Sequence, residues 1–221
     1  MIFSFLHPTL TIFKGVNYGS SPVNNVKIPK VLFVGISNYF SVPKSISVGT
    51  EWYWETDADL GLTGRQELKD IDVNARINAI INNQDQQYAY ETYKDIGDIF
   101  GKVFSLGGYA NALNYIAFTN YYLRPANYSN PRKSLSPTDI DKAIAYCNLM
   151  YWYKTLSPDL VIFLGKGIYK SFRMSYNIAS YNSKIPAIIG EEVVSGFYSR
   201  NNSSAKTNLE NILKDWKNKN P

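Results

Sequence analysis

Cysteine and histidine are nearly absent from this sequence, whose 221 residues hold one of each, Cys147 and His7. One thiol excludes a disulfide framework. Two such ligands are too few for a zinc or iron–sulfur centre, so neither a metal cluster nor a cofactor is expected. A Ser–His–acid triad would have to use His7, and no G-x-S-x-G elbow accompanies it. The phosphate-cradling patterns G-x-G-x-x-G and G-x-x-x-x-G-K-[ST] are missing as well, which argues against dinucleotide and triphosphate sites. No apolar run approaches the roughly 20 residues that cross a bilayer. The opening Met1-Ile2-Phe3-Ser4-Phe5-Leu6 is apolar but has no basic leader, is broken by His7-Pro8, and reads as part of the fold. A reducing, cytoplasmic location and a monomer are expected.

What is present is a chain long enough for one domain over residues 1–221, with a net charge of +5. The positive charge is unevenly placed. Acids gather between Glu51 and Asp72, whereas Arg124, Arg132, Lys133, Lys166, Lys170 and Arg173 follow the ends of predicted strands, which would put them on one rim. A basic rim permits nucleic-acid binding without requiring it.

Lys30-Val31-Leu32-Phe33-Val34-Gly35 is a short apolar run closed by glycine, the pattern of a strand buried on both faces of a parallel sheet. Tyr115–Phe118 and Leu160–Leu164 repeat it, and Ile185–Ile189 is a weaker fourth. Helical periods alternate with these runs. Tyr90, Tyr93, Ile96, Phe100, Val103 and Phe104 form one apolar stripe, and Ile140, Ala143, Ile144, Cys147 and Tyr151 another. Cys147 is expected to be a small buried hydrophobe on that second helix. Ser136 as cap, Pro137 at the first position and Asp139 and Asp141 in the first turn mark its start. Ser204 to Trp216 reads as a closing helix. This alternation requires crossover connections and predicts an α/β fold, a three-layer αβα sandwich around a central, mostly parallel four-stranded sheet.

Ligands of open parallel sheets bind outside the carboxyl ends of the strands. That rule selects Gly35 to Phe40, Asn120 to Arg124, and Gly165 to Gly167. Asn120 follows an apolar strand, where its amide offers a donor and an acceptor together, a pairing suited to the edge of a nucleobase. Aromatic residues crowd the same rim: Tyr39, Phe40, Trp52, Tyr53, Trp54, Tyr121, Tyr122, Phe197 and Tyr198. Rings at a pocket edge can sandwich an extruded base, although most aromatics in any chain are packing.

Three segments together resemble the uracil-DNA glycosylase superfamily, and its divergent bacterial branches most of all. They are Gly35-Ile36-Ser37-Asn38-Tyr39, Ile116 to Ala126 with Phe118-Thr119-Asn120 at its centre, and Ser157 to Lys166. The likeness runs from about Lys30 to Trp216. It implies a parallel sheet between helices that extrudes a nucleotide from DNA and hydrolyses its N-glycosidic bond without metal or cofactor. By position, Ser37 or Asn38 would position water and Tyr39 would exclude bulky bases. Asn120 would read the pyrimidine edge, with Gly35, Tyr121, Phe197 and Tyr198 lining the substrate, and Arg124, Lys166, Lys170 and Arg200 would hold DNA phosphates.

The chain departs from that family at two places. Many members carry an acid in the first segment, where this chain has Ile36, Ser37 and Asn38. Asn orients water but does not take its proton at neutral pH, so departure of the base would lean on electrostatics. The family's last segment is usually His-Pro-Ser, and Gly190 to Arg200 contains no histidine. Arg200 or backbone donors would stand in, or His7 of the displaced-looking His7-Pro8-Thr9 would reach the site, with Glu191 and Glu192 as loop carboxylates able to act as base. The expected activity is excision of a non-standard or modified pyrimidine, such as one in invading viral DNA. The alternatives are a catalytically degenerate DNA-binding protein of the same fold and a small-molecule nucleoside hydrolase.

Overall fold

Val31–Gly35 (β2) lies at the centre of the sheet. In a computed structural model of the chain it pairs in parallel with Ile116–Asn120 (β4) on one side and Leu160–Phe163 (β6) on the other, Gly35 opposite Asn120 and Val34 opposite Phe163. The structure describes residues 12–20, 25–37, 39–40, 49–54, 73–82, 91–124, 126–127, 136–182, 191–198 and 202–221. Phe13–Lys14 (β1) adds an antiparallel edge to β4, and Glu191–Val193 (β7) adds a parallel edge to β6, giving the order β1-β4-β2-β6-β7. The sheet is therefore mixed but mostly parallel, as the alternating apolar runs require.

β2 is buried throughout because successive side chains enter opposite cores. Val31 and Phe33 face a layer containing Val73–Ile81 (α1), Glu91–Phe104 (α2), Tyr109–Leu113 (α3) and Ser203–Lys219 (α6). Leu32 and Val34 face Asp139–Leu156 (α4) and Lys166–Asn182 (α5). Phe172 of α5 is wholly buried there, its ring stacked on Phe163 at 5.2 Å and edge-on to Tyr121 at 6.5 Å. A sheet so covered cannot expose its faces, which leaves the strand ends for function.

Several predicted boundaries move. The predicted strand Tyr115–Phe118 continues through Thr119 and Asn120, so Asn120 closes β4 rather than following it. The predicted strand Ile185–Ile189 lies outside the described residues, and the strand found nearby is β7, which takes Glu191 and Glu192 out of the loop expected for them. The stripe of α2 is as predicted from Tyr93 to Phe104, while Tyr90 lies outside the described residues.

The second helix turns its other side inward. Its buried residues include Asp141, Ala145, Asn148 and Leu149, while Ile140, Ala143, Cys147 and Tyr151 are exposed. Apolar residues occur on both sides of this helix, so period alone does not choose between them. The choice falls to Asp141, which finds a buried cation. The helix starts two residues later than Ser136 suggests. Thr138 is the cap, its Oγ1 accepting from Asp141 N at 3.2 Å and its own N–H donating to Asp141 Oδ2 at 2.8 Å.

The same helix ends on Ser157 in the left-handed conformation, φ 44°. Glycine adopts that conformation without Cβ strain. Ser157→Gly is expected to stabilise the protein by about 0.5–1 kcal/mol, less the entropy glycine gains on unfolding, as read from urea denaturation midpoints. No helix among the described residues is long and apolar enough to cross a membrane.

Candidate functional site at the carboxyl ends of the strands

Two of the three predicted stretches are joined by backbone. After β2 and β4 the chains stay together: Tyr121 N donates to Gly35 O at 2.8 Å and Tyr122 N to Ile36 O at 2.9 Å. Further out, Tyr39–Phe40 (β3) pairs in parallel with Ala126–Asn127 (β5). The third stretch packs alongside, since Gly165, at the end of β6, sits against the Ile36 side chain. All three thus gather at one end of the sheet, as the strand-end rule anticipates.

At that end Gly35 is hemmed in. A Cβ there would collide with the Tyr198 hydroxyl, with Asn120 Oδ1, and with the Phe118 ring at 2.8 Å. Only glycine fits, and its bareness brings two polar side chains and a ring edge to one point above the backbone. Gly35→Ala is expected to push Asn120 and Tyr198 aside and to weaken any ligand they jointly hold by about tenfold or more, since each 1.4 kcal/mol is a factor of ten. Circular dichroism alongside the binding titration separates that loss from misfolding.

Tyr198 arrives from β7. After that strand Val194 N donates to Phe163 O at 2.7 Å, and the chain then turns through Gly196, whose φ of 76° is left-handed. A Cβ on Gly196 would strike the amide nitrogen of Asn202, the residue that caps α6 by accepting from Ala205 N at 3.1 Å. Phe197 is 3% exposed and anchors the turn in the core with Val194 and Leu209. Tyr198, next in line, is 39% exposed.

Ser37 is 9% exposed, and its Oγ has no hydrogen-bond partner among the described residues. An unpaired buried hydroxyl costs free energy, and this one lies two residues after Gly35 at the end of the central strand. Asn120 is 4% exposed, its amide covered in this state.

The loop after Asn120 is clamped. Arg124 Nε and Nη2 donate to Asp141 Oδ1 and Oδ2 at 2.9 and 2.7 Å, and the Tyr53 hydroxyl donates to Oδ1 at 2.6 Å. Burial alone would raise the Asp141 pKa, but the bonds from Arg124, Tyr53 and Thr138 outweigh it and hold the carboxyl down at about 2. The same carboxylate holds the Arg124 guanidinium protonated. For Tyr53, burial and the bond to Asp141 both raise the phenol's pKa. Tyr122 OH completes the clamp with a bond to Ser171 Oγ at 3.0 Å.

Three residues given exposed roles by the sequence are buried in this arrangement. Arg124 is 8% exposed and bonded to a buried acid, so it holds the loop. Tyr121 is 1% exposed in the α4–α5 core, and Phe197 is in the opposite core, so neither ring is placed to stack on a base. The expected burial of Cys147 is overturned too. Gly35, Ser37, Asn120 and Tyr198 are brought to the same strand end. Lys166 and Lys170 are exposed one turn apart at the amino end of α5, on the same rim. Tyr39 lies in β3. Asn38, Arg200 and His7 lie outside the described residues.

Sequence reasoning passed over Asp141 as a partner for Arg124, although Thr138-Asp139-Ile140-Asp141 has capping-box spacing that marks an acid folded back on a helix start. A separate groove of about 310 Å³ lies at the opposite end of the sheet, between Leu160 at the start of β6 and Asn211, Asp215 and Trp216 of α6. Among the described residues no group of three or more His, Cys, Asp or Glu side chains is placed to hold a metal ion. Compared with protein-family models and with curated protein sequences, the chain matches none.

Proposed function

We propose that the chain is a monofunctional DNA glycosylase that excises a non-standard or modified pyrimidine, built as a three-layer αβα sandwich. The observation that carries this reading is the crowding of Asn120 Oδ1 and the Tyr198 hydroxyl over Gly35 at the end of the central strand. An amide offers a donor and an acceptor in one plane, which matches a pyrimidine edge. Lys166 and Lys170, at a helix amino terminus, supply positive charge for the flanking phosphates.

The reaction is a hydrolysis. The target nucleotide swings out of the duplex toward the strand ends, where the Tyr198 side chain shifts to admit the base beside it and Asn120 bonds the base edge. Water, oriented by Ser37 and Asn38, attacks C1′ of the deoxyribose while the glycosidic C–N bond breaks. The base leaves with the bonding electron pair, and the proton lost by water passes to solvent or to the base. Without an acid in the first segment the rate depends on stabilising the departing base. On this reading the Tyr198 phenol, in the segment where the resembled family has histidine, donates to the departing base beside it.

The test is incubation of the purified chain with duplexes that each bear one altered pyrimidine, followed by alkaline cleavage at abasic sites. Release from at least one duplex is expected. Folded protein that releases no base from any of them removes the enzyme reading.

The near-complete burial of Asn120 favours a second reading, a DNA-binding protein of this fold that has lost catalysis. It predicts affinity that falls steeply with salt and leaves every duplex unmodified.

A further inference from the structure

Nothing in the proposed reaction uses the aromatic run Trp52-Tyr53-Trp54, and the structure gives its three rings different places. Trp52, in a 3-10 turn over Thr50–Tyr53, is 3% exposed. Tyr53 directs its hydroxyl to Asp141, the acid that also holds Arg124. Trp54 is left 55% exposed, its N–H closing the turn on Glu51 O at 3.0 Å. A single exposed apolar residue is ordinary, but this one is tethered by the two residues before it, one in the core and one on a buried ion pair. A ring fixed in advance loses little freedom when a ligand covers it.

Topology puts that ring on the rim of the candidate site. α4 is entered from the carboxyl end of β4 and leads into the amino end of β6, so its first turn, with Asp141, stands at the carboxyl ends of the strands. α5 starts at the same end, directly after β6, and carries Lys166 and Lys170 exposed. The acids beside Trp54 are engaged. Glu51 Oε1 accepts from Gly49 N at 2.7 Å, Asp139 pairs with Lys142 at 2.9 Å, and Asp141 pairs with Arg124. No acid among the described residues pairs with Lys166 or Lys170. We propose that Trp54 is a stacking platform for an unpaired base in the DNA strand whose phosphates Lys166 and Lys170 hold. Chemistry selects this occupant. Free cations on the same rim as an exposed ring match a single strand, which offers phosphates and bare base faces together. A closed duplex keeps its base faces stacked and has nothing to lay on the indole. This role rests on the reading that the rim meets DNA, and not on excision of the base.

The test is fluorescence anisotropy with the full chain and two short labelled strands, an oligothymidylate and the same backbone with abasic sites in place of its bases. Wild type is expected to bind the base-bearing strand about fivefold or more tightly than the abasic one. Trp54→Ala, a change at an exposed position, is expected to erase that preference, and Trp54→Phe, which keeps a ring, to retain part of it. Lys166→Ala is expected to weaken both strands alike. Circular dichroism of each variant checks the fold. Equal binding of the two strands by wild type, binding of neither, or a preference that Trp54→Ala leaves intact overturns the proposal. Base release assayed on the same preparations keeps the two ideas apart. Release without a Trp54-dependent preference sinks the stacking role and leaves the glycosylase standing. The preference without release supports the stacking role on a protein that does not excise.

Discussion

Replacing Asn120 with alanine is expected to lower base release by about 10²- to 10³-fold, the loss seen when one preorganised hydrogen-bonding group is removed from a reacting centre. The size of the effect follows from burial. On the glycosylase reading the amide of Asn120, 4% exposed at the end of β4, would meet the base where water is largely excluded and polar contacts are strongest. Truncating a buried amide also costs stability, about 1–3 kcal/mol if its partners are left unpaired. Single-turnover release measured well below the melting temperature separates the two effects. Affinity for undamaged duplex provides the control, because on the proposed reading phosphate contacts would dominate it and would pass through Lys166 and Lys170 rather than Asn120. If release falls no further than the stability change explains, Asn120 is only a structural end to its strand. If wild type and variant both bind DNA and release nothing, the catalytically silent reading takes over.

The second large effect belongs to Asp141. Asp141→Ala leaves the Arg124 guanidinium buried without its counter-charge, and breaking a buried pair on one side costs about 3–5 kcal/mol. The double variant Arg124→Met with Asp141→Leu removes both charges and is expected to recover most of that loss, since the desolvation penalty goes with them. Denaturant unfolding at neutral pH reads both. The pH dependence has a definite sign. The folded carboxyl titrates at about 2, below its ordinary value near 3.8, so its stabilisation is fully present above about pH 4 and disappears as pH falls through about 2. That depression corresponds to about 2 kcal/mol. The stability gap between wild type and Asp141→Ala should therefore narrow between about pH 4 and about pH 2. A gap that stays constant over that range would mean that the carboxylate's charge is not what holds the loop.

These two residues also separate what could be read from the chain and what could not. The central strand was legible because Val31 to Val34 are apolar without interruption, which only a strand covered on both faces tolerates, and because Gly35 ends it. The stripe of α2 was legible because its other side is polar. α4 was misread for the opposite reason, since apolar residues line both sides and Asp141 looked like a surface acid near a helix start. Its partner Arg124 is distant in sequence, and no local pattern pairs them. Of the candidate site, the gathering of Gly35, Ser37 and Asn120 at one end of the sheet was legible from strand-end position, whereas the burial of Tyr121 and Phe197 in the two cores was not, because aromatic composition does not say which way a ring points.

By itself the sequence determined the α/β class, the three central parallel strands with the helices α2, α4 and α6, and the end of the sheet where loops collect, because these follow from short-range periodicity and from the crossover connections it requires. Tertiary structure alone decided which side of α4 faces inward, that Arg124 serves the fold, and that Tyr198 meets Asn120 over Gly35. Each of those outcomes depends on groups brought together from distant parts of the chain, and their energies arise only when the elements pack and exclude water.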